Sequence, residues 1–243
     1  MLEQITAFLE NLGMTKVEAQ LQYLLDPKNI PTAIWETLYA PLLAALFAYV
    51  IGMPLGILLV TGATDGIHPM PKWVMALLNG LINLLRSIPF LILMVLVFPL
   101  SRLLLGTAIG TTATIVPLTV AAFPYVARLV ESSLREMDRG VIEAAQSMGC
   151  STLQIICKVM LPECRPSLIS GATNACITIL GYGAMAGAIG GGGLGAIALM
   201  RGYSRNQTLV LYIAVLLLVI LVQILQSIGS RLALRFDKRI TKK

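Results

Sequence analysis

The sequence predicts an all-α integral membrane protein with about five transmembrane helices. Of its 243 residues, 57% are hydrophobic and only 12% are charged, whereas soluble domains carry roughly 25% charged residues. The charges are also clustered, which leaves several charge-free stretches long enough to cross a bilayer. Because a segment in lipid must satisfy its backbone hydrogen bonds internally, we expect each of these stretches to be a helix.

Five apolar stretches place the spans within a transmembrane domain of residues 34–227. The predicted spans are residues 38–60, 74–100, 105–127, 166–187 and 207–230. Only the second contains a charged residue, Arg86. Before this domain we expect an extracytoplasmic amphipathic tail over residues 1–33, because apolar side chains alternate there with glutamate and glutamine. After it, residues 228–243 are expected to form the end of the last helix and a basic tail.

The distribution of basic residues predicts the orientation of the spans. Most of the 18 lysine and arginine residues lie on the side that holds the loop between the third and fourth spans and the C-terminus. Because positively charged loops stay in the cytoplasm, we expect this loop and the C-terminus inside the cell and the N-terminal tail outside. This orientation accounts for the net charge of +6. The basic residues form no stripe with interleaved aromatic side chains of the kind that binds nucleic acid.

The loop between the third and fourth spans, residues 136–164 and here called the connecting loop, reads like two short soluble helices. Residues 138–148 alternate apolar and polar side chains with a helical period. Gly149 follows and suits the left-handed conformation just beyond a helix end. The apolar stripe of this helix consists of Val141, Ile142, Ala145 and Met148.

The second half of the connecting loop also predicts a helix. Ser151 and Gln154 have the spacing of a capping box, in which each side chain accepts a hydrogen bond from the other residue's backbone N–H. We expect the helix to run to Leu161 and to end there, because Pro162 follows. The apolar stripe of the loop then either packs against the protein's own helix ends and lipid headgroups or docks into a groove of a cytoplasmic partner.

The connecting loop carries a motif with fixed spacing. Glu143-Ala144-Ala145 is followed after three residues by Gly149 and, after eleven more, by Leu161-Pro162. This motif resembles the EAA loop of ABC-importer permeases, although Val159 stands where that family usually has isoleucine. The resemblance implies that the motif residues form a coupling helix, which inserts into a cleft of a separate cytoplasmic ATPase subunit.

Further motifs extend the resemblance across residues 35–228. They are Trp35-Glu36-Thr37-Leu38, Arg86-Ser87-Ile88-Pro89-Phe90, Ile115-Val116-Pro117-Leu118-Thr119 and the glycine tract of residues 190–195. These motifs are similar to those of permeases of bacterial methionine importers, although the N-terminal tail is longer than that family leads us to expect.

The resemblance implies a fold, a location and partners. It implies a type I ABC-importer permease, a multi-pass protein of the bacterial inner membrane surrounded by lipid. It also implies a homodimer that works with two copies of the ATPase subunit and an extracytoplasmic substrate-binding lipoprotein. The implied cargo is methionine in its D and L forms, with another small amino acid or an organic amine as the alternative.

Two polar stripes run along predicted spans. They consist of Asn79, Asn83 and Ser87 on the second span and of Asn174, Thr178 and Tyr182 on the fourth. Such stripes either join helices through hydrogen bonds or, as the resemblance implies, line a translocation path. Arg86 likewise has two interpretations, a structural partner for polar groups or a contact to a substrate carboxylate.

The sequence offers no catalytic or metal-binding group. It contains no Gly-Lys dipeptide and therefore no Walker A lysine. His68 is the only histidine and no CxxC pair occurs, so we expect no metal site. The predicted spans hold no acidic residue, which a proton-coupled carrier usually needs. We therefore expect a transport subunit rather than an enzyme or a secondary transporter. This chain is expected to bind no cofactor, because the resemblance implies that ATP and Mg²⁺ are held by the partner ATPase.

Overall fold

The computed structural model describes residues 17–236, and these residues form helices and connecting turns without a strand. Residues 1–16 of the predicted N-terminal tail and residues 237–243 of the predicted basic C-terminal segment lie outside the described residues. The helices are α1 (Val17–Leu25), α2 (Asn29–Thr61), α3 (Lys72–Ser87), α4 (Phe90–Leu105), α5 (Ile115–Arg135), α6 (Arg139–Ser147), α7 (Thr152–Gln154), α8 (Leu161–Glu163), α9 (Arg165–Ala186), α10 (Gly193–Ala196) and α11 (Thr208–Phe236). Two π-helical segments, Ile155–Met160 and Ile197–Tyr203, continue α7 and α10.

Four helices in the described part of the chain are long and apolar enough to span a membrane. They are α2, α5, α9 with its extension to Ile189, and α11. The pair α3 and α4 passes the same test as one bent element, which brings the number of candidate spans to five. The predicted all-α membrane fold of about five spans is confirmed.

The second predicted span is wrong as a single straight helix. The chain bends by 110° between α3 and α4, where Ile88 is extended with φ −81° and ψ 125°. The helical region is disfavoured for a residue before proline, because the proline ring collides with that residue's backbone. Pro89 directly precedes the next helix, and its carbonyl oxygen accepts the N–H groups of Ile92 and Leu93 at 3.0 Å. Hydropathy does not register this break, because the chain is apolar on both sides of it.

The third predicted span begins later than the sequence suggests. Residues 106–114 form turns, in which Gly106 and Gly110 are left-handed with φ of +76° and +106°. Glycine is the residue that adopts such angles without steric cost, and here they interrupt the expected helix. α5 starts at Ile115, accommodates Pro117 in its first turn and continues to Arg135. The apolar stretch of residues 105–127 is therefore part turn and part helix.

The other three predicted spans correspond to helices of the structure. α2 starts at Asn29, inside the predicted tail, and α9 matches its predicted span closely. α11 continues to Phe236, beyond the predicted end at residue 230. The helices continue beyond the apolar stretch at these two ends, so hydropathy underestimates their lengths.

The described residues divide into two compact units. The loop unit consists of residues 45–93, 119–177 and the last helix from Leu225. The glycine unit consists of residues 17–44, 94–118 and 178–224. The first contains the connecting loop, and the second contains the glycine tract.

The core of the loop unit holds α2, α3 and α5 together. Leu59, Ile82 and Ala127, one from each helix, are almost fully buried in one apolar cluster. Gly56 lets α2 approach α5 closely, because a Cβ atom at this position would lie 2.6 Å from the carbonyl oxygen of Ala127. Small residues at helix contacts are a usual basis of packing in membranes. α5, which leads into the connecting loop, is thus fixed within this unit.

The glycine unit joins two of the sequence motifs. Glu36 Oε2 accepts the backbone N–H of Gly193 at 2.7 Å, and Thr37 Oγ1 accepts that of Leu194 at 2.8 Å. Gly192 leaves room for this contact, because a Cβ atom there would overlap Glu36 Oε2 and Thr111 Oγ1. The first N–H groups of a helix have no acceptor within that helix. Glu36 and Thr37 accept two of these N–H groups at the start of α10.

The N-terminal helix α1 is fixed to the start of α11. Gln20 is fully buried, and its Oε1 accepts the backbone N–H groups of Leu209 at 2.9 Å and Val210 at 3.4 Å. The guanidinium of Arg201 lies 3.8 Å from the ring centre of Tyr23, which is a cation–π contact. Residues 17–25 of the predicted tail therefore form a docked helix of the glycine unit.

Candidate functional site

The first helix of the connecting loop, α6, is capped at both ends. The Asp138 side chain accepts the backbone N–H of Gly140 at 2.8 Å, which satisfies one of the free donors at the helix start. At the other end the N–H of Gly149 donates to the Gln146 carbonyl oxygen at 2.9 Å. Gly149 has a φ of +76°, so the predicted left-handed turn is confirmed.

The predicted capping box of the second half is also present. The backbone N–H of Ser151 donates to Gln154 Oε1 at 2.9 Å, and that of Gln154 donates to Ser151 Oγ at 3.4 Å. Each side chain satisfies an N–H group that the helix start would otherwise leave free. Together with Gly149, the capping box fixes the direction in which the second helical half leaves the turn.

The second helical half does not end at Leu161, contrary to the prediction. After α7 the chain widens into the π-helical segment Ile155–Met160, where the N–H of Leu161 donates to the carbonyl oxygen of Ile156. α8 follows directly and holds Pro162 in its first turn, where a helix does not need the N–H that proline lacks. α9 begins at Arg165, so the connecting loop passes almost without interruption into the fourth predicted span.

The connecting loop has a buried and an exposed apolar face. Ala145, Ile155 and Met160 are at most 2% exposed. Met148 and Leu153, in contrast, are 76% and 73% exposed on the two sides of the Gly149 turn. Large apolar side chains gathered on an exposed segment mark an interaction surface. We call Val141, Met148 and Leu153 the outer face of the loop.

The predicted apolar stripe is therefore divided between the two proposed roles. Ala145 packs inward, as expected of a loop that rests on its own protein. Ile142 is half-buried, whereas Val141 and Met148 are exposed. A single helical period does not distinguish these positions, because the burial depends on what α6 contacts in the folded chain.

The six residues of the EAA-like motif occupy different surroundings. Glu143, Ala144 and Gly149 are exposed, Ala145 is buried, and Leu161 and Pro162 are half-buried. The three exposed residues lie on α6 and its turn, as do Val141 and Met148 of the outer face. The structure thus brings the first part of the motif to the surface, whereas Leu161 and Pro162 support the second half from within.

Arg128 binds the first polar stripe and is a residue that sequence reasoning missed. Its NH2 group donates to Asn79 Oδ1 at 2.8 Å and to Asn83 Oδ1 at 2.9 Å, which joins α5 to α3. Its NH1 group donates to Glu131 Oε2 at 2.6 Å. A signal was available in the spacing of Arg128, Glu131 and Arg135, because charges three and four residues apart meet on one helix face.

Ser87, the third member of the first stripe, and the nearby Arg86 behave differently. Ser87 Oγ donates to the Asn83 carbonyl oxygen within its own helix at 2.8 Å. Arg86 is exposed beside the bend and makes no side-chain hydrogen bond or ion pair within residues 17–236. Asn79 and Asn83 join helices, as one of the two interpretations expects. A role of these residues in a translocation path remains a prediction.

The second polar stripe lies along α9. Asn174 is exposed, and Thr178 and Tyr182 are half-buried. The three residues follow one another at intervals of four, so they share one side of this helix. Their predicted role in a translocation path likewise remains a prediction.

An ion pair ties the start of α6 to the turn between α2 and α3. The Arg139 guanidinium donates to Asp65 Oδ2. This hydrogen bond holds the pKa of the Asp65 carboxyl below its usual range, with further lowering by a backbone hydrogen bond and by the positive charges of Arg139 and Arg135. Asp65, Arg139 and Glu143 also line a cleft of about 360 Å³ beside the loop.

The fold defines a class of protein, a helical membrane permease of about five spans. The chain belongs to the family of binding-protein-dependent transport system inner membrane components, whose family model matches residues 52–242. The resemblance to ABC-importer permeases is thereby confirmed, and the chain is a transport subunit of the inner membrane rather than an enzyme.

Curated relatives match most of the chain. The "Probable D-methionine transport system permease protein MetI" of Vibrio cholerae is 45% identical over 218 residues, which cover 89% of this chain and 96% of the relative. The methionine import system permease protein MetP of Bacillus subtilis is 46% identical over 168 residues, which cover 69% of this chain and 76% of the relative.

Solved structures of ABC transporters share the fold. An inward-facing structure of the MetNI methionine ABC transporter matches with a TM-score of 0.84 at 42% identity, over 86% of this chain and 96% of that one. An amino acid ABC transporter solved with histidines matches with a TM-score of 0.65 at 20% identity, over 94% of this chain and 97% of that one. The second likeness is one of fold alone.

Proposed function

We propose that this chain is the membrane-spanning permease of an ATP-driven importer that carries methionine, in its D and L forms, into the cell. The observation that carries this proposal is the 45% identity over 96% of the length of a D-methionine transport permease. The likeness to the MetNI methionine transporter, with a TM-score of 0.84 at 42% identity, also supports it.

In this proposal the permease works as a homodimer with two copies of a separate ATPase and an extracytoplasmic substrate-binding lipoprotein. The connecting loop and the C-terminus face the cytoplasm, and the N-terminal segment faces outward. The charge distribution supports this orientation, because most of the lysine and arginine residues fall on the side of the connecting loop. ATP and Mg²⁺ bind to the ATPase, and this chain needs no cofactor.

The connecting loop is the coupling element in this proposal. Its outer face, Val141, Met148 and Leu153, would enter an apolar groove of the ATPase, since these side chains are exposed on the lone chain. Glu143 and Ala144 lie on the same exposed helix, and buried Ala145 holds that helix on the permease. Gly149 and the capping box keep the two halves of the loop at a fixed angle, so that a push on α6 reaches the membrane helices.

The polar stripe of α9 supplies the proposed lining of the translocation path. Asn174, Thr178 and Tyr182 repeat every four residues and therefore share one side of this helix. Asn79 and Asn83 would border the path beside Arg128 through their amide NH2 groups, since both side-chain carbonyl oxygens already accept hydrogen bonds from Arg128 and the Asn79 amide also donates to the Met75 carbonyl oxygen. Substrate passes when the dimer alternates between outward-facing and inward-facing states, which the ATPase shifts.

Uptake of labelled methionine tests the proposal. Cells that lack their own methionine uptake should accumulate labelled L-methionine only when this chain is produced together with its ATPase and binding protein. Unlabelled D-methionine should compete, whereas other amino acids and organic amines should not. Equal accumulation with and without this chain would refute the proposal. Competition by another amino acid instead of methionine would retain the importer and change its cargo.

A further inference from the structure

A chain of hydrogen bonds and ion pairs begins at α3 and runs along α5. Asn79 and Asn83 of α3 both accept hydrogen bonds from Arg128 of α5, at 2.8 Å and 2.9 Å. Arg128 also donates to Glu131 Oε2 at 2.6 Å, and Arg135 Nε donates to Glu131 Oε1 at 3.1 Å. Glu131 thus joins two cations that lie seven residues apart on one side of the helix.

Charged side chains then continue from the end of α5 to the first residue of the connecting-loop helix. Arg135, Asp65 and Arg139 line one cleft of about 360 Å³, and the positive charge of Arg135 makes a minor contribution to the lowered pKa of the Asp65 carboxyl. Asp65 in turn forms an ion pair with Arg139, the residue at which α6 begins. The order of charges is positive at Arg128, negative at Glu131, positive at Arg135, negative at Asp65 and positive at Arg139, and we call these five residues the ion chain. All of them lie in the loop unit.

We propose that the ion chain makes α3 follow the movements of α6, and that Arg128 is the positioning residue that fixes α3 to it. The inference rests on the proposed function, in which an ATPase moves α6. It adds a route by which that movement passes through Asp65 and α5 to α3. This helix ends at the 110° bend before Pro89. A displacement of α6 would then turn α3 about this bend.

Arg128 suits this task because of its geometry. A guanidinium carries five N–H donors in a rigid, planar fork, whereas a lysine ammonium is a flexible point charge. The fork here reaches three acceptors on two helices, and its side chain is only 22% exposed while that of Glu131 is 12% exposed. Charged hydrogen bonds in partly dry surroundings are less weakened by solvent than those at the surface.

Apolar packing alone would not transmit the movement as directly. Ile82 of α3 packs against Leu59 and Ala127, and such contacts are non-directional. Hydrogen bonds from one guanidinium to two side chains a full helical turn apart fix the register of α3 along α5. The hydrogen bonds of Arg128 therefore fix the relative position of α3 and α5 along their axes, which apolar packing alone does not fix.

The test compares variants in the complete transporter, reconstituted in vesicles with the ATPase and the binding protein. Arg128→Gln should assemble normally and hydrolyse ATP, but methionine carried per ATP should fall roughly two- to thirty-fold, the range of coupling changes seen for residues without ligand contact. Arg128→Lys should be intermediate, because it keeps the charge beside Glu131 and loses the fork.

Asp65→Asn should also lower the ratio, and the double variant Arg128→Gln with Asp65→Asn should be little worse than either single one. Arg102→Gln is the control, since its exposed guanidinium has no side-chain hydrogen bond within residues 17–236.

A second readout does not depend on the cargo. Amide hydrogen exchange is measured on the complex with and without nucleotide. In the native chain, nucleotide should change the protection of backbone amides in both α6 and α3. In Arg128→Gln the change at α6 should persist and that at α3 should disappear. An unchanged response at α3, or unchanged methionine carried per ATP in both Arg128→Gln and Asp65→Asn, would overturn the ion chain as a link. Independent, additive losses in the double variant would overturn it as well.

The two proposals fail in different ways. Absence of methionine uptake by the native complex refutes the proposed cargo, while the exchange experiment still decides on the link. Should Arg128→Gln fail to assemble, Asp65→Asn decides instead, because Asp65 lies on an exposed turn whose substitution leaves the helix core intact.

Discussion

Glu36 accepts a hydrogen bond from the backbone of Gly193 at 2.7 Å, although the two residues are 157 positions apart in the sequence. Thr37 makes the same kind of contact with Leu194 at 2.8 Å. The two motifs that this contact joins are among those on which the resemblance to methionine-importer permeases rests. Their chemistry is structural within this chain, because a carboxylate and a hydroxyl occupy N–H groups at a helix start.

The Glu36–Gly193 contact predicts a loss of stability in Glu36→Ala. The substitution leaves a part-buried N–H without its acceptor, which costs about 1–3 kcal/mol. Glu36→Gln keeps an acceptor oxygen and should lose less. Thermal unfolding in detergent measures the difference, with substitution of the exposed Glu18 of α1 (Glu18→Ala) as the control. Equal melting temperatures for all three variants would contradict the prediction.

Gly192 offers a steric test of the same contact. A Cβ atom at this position would overlap Glu36 Oε2 and Thr111 Oγ1, so Gly192→Ala should lower the melting temperature. Gly80→Ala is the matched control, because a Cβ atom there meets nothing within 4 Å in the middle of α3. Alanine within a helix gains roughly 0.5–1 kcal/mol over glycine, so this control should be neutral or stabilising. Opposite signs for the two glycines are the expected result.

The absence of a Walker A lysine in the sequence predicts that the purified chain does not hydrolyse ATP. Hydrolysis should appear only when the ATPase partner is added, and it should rise further with substrate-loaded binding protein. Phosphate release from the purified chain is the measurement. Hydrolysis that persists after contaminating ATPases have been removed would contradict the assignment to a transport subunit.

The ion pair of Asp65 and Arg139 predicts a pH dependence. Because the pKa of Asp65 is lowered in the folded protein, the pair contributes stability above the usual aspartate pKa, and this contribution is lost as pH falls through the lowered value. The native chain should therefore be more stable than Asp65→Asn at neutral pH, and the difference should vanish in acid. Melting temperatures of both proteins across that range provide the test. A difference that is the same at every pH would contradict it.

Local sequence signals predicted the connecting loop well. Gly149 and the Ser151–Gln154 capping box act within a few residues, so their geometry follows from the residues themselves. Pro162 was misjudged because the effect of a proline depends on the hydrogen bonding of the preceding turn. The π-helical segment before it changes that bonding in a way that the local sequence does not announce.

The tertiary contacts could not be predicted in the same way. Apolar composition located the membrane helices, but it reports burial in lipid and says little about where a helix bends, as Ile88 and Gly106 show. The partnership of Arg128 with Asn79 and Asn83 connects positions 45 and 49 residues apart. Such a contact depends on the packing of α3 against α5, which no local pattern specifies.

The exposed position of Glu143 predicts the effect of reversing its charge. Glu143→Lys should insert into the membrane normally, because the side chain lies on the surface of α6. It should weaken binding of the ATPase if this helix docks there, since like charges placed together across an interface cost several kcal/mol. Co-purification with the ATPase is the measurement, and Glu18→Lys on α1 is the control. Normal ATPase binding by Glu143→Lys would remove this residue from the docking surface.

Gly149 provides the most direct test of the loop as a coupling element. Its φ of +76° is unfavourable for a residue with a branched side chain, and a Cβ atom there meets nothing within 4 Å. The penalty of Gly149→Val, roughly 1–3 kcal/mol, therefore comes from the backbone conformation and not from a clash. Since the helices of the loop unit pack elsewhere, the variant should still insert and assemble in the membrane.

The expected defect of Gly149→Val is in transmission. A turn that abandons the left-handed conformation changes the angle between α6 and the second half of the loop, so a push on α6 no longer reaches α9 in the native direction. Methionine uptake should fall far more than the amount of protein in the membrane. Gly149→Asn is the matched control, because asparagine adopts left-handed angles more readily than other residues with side chains, and it should retain most of the uptake. If valine and asparagine supported equal, full uptake with normal ATPase binding, the angle at Gly149 would have no part in coupling.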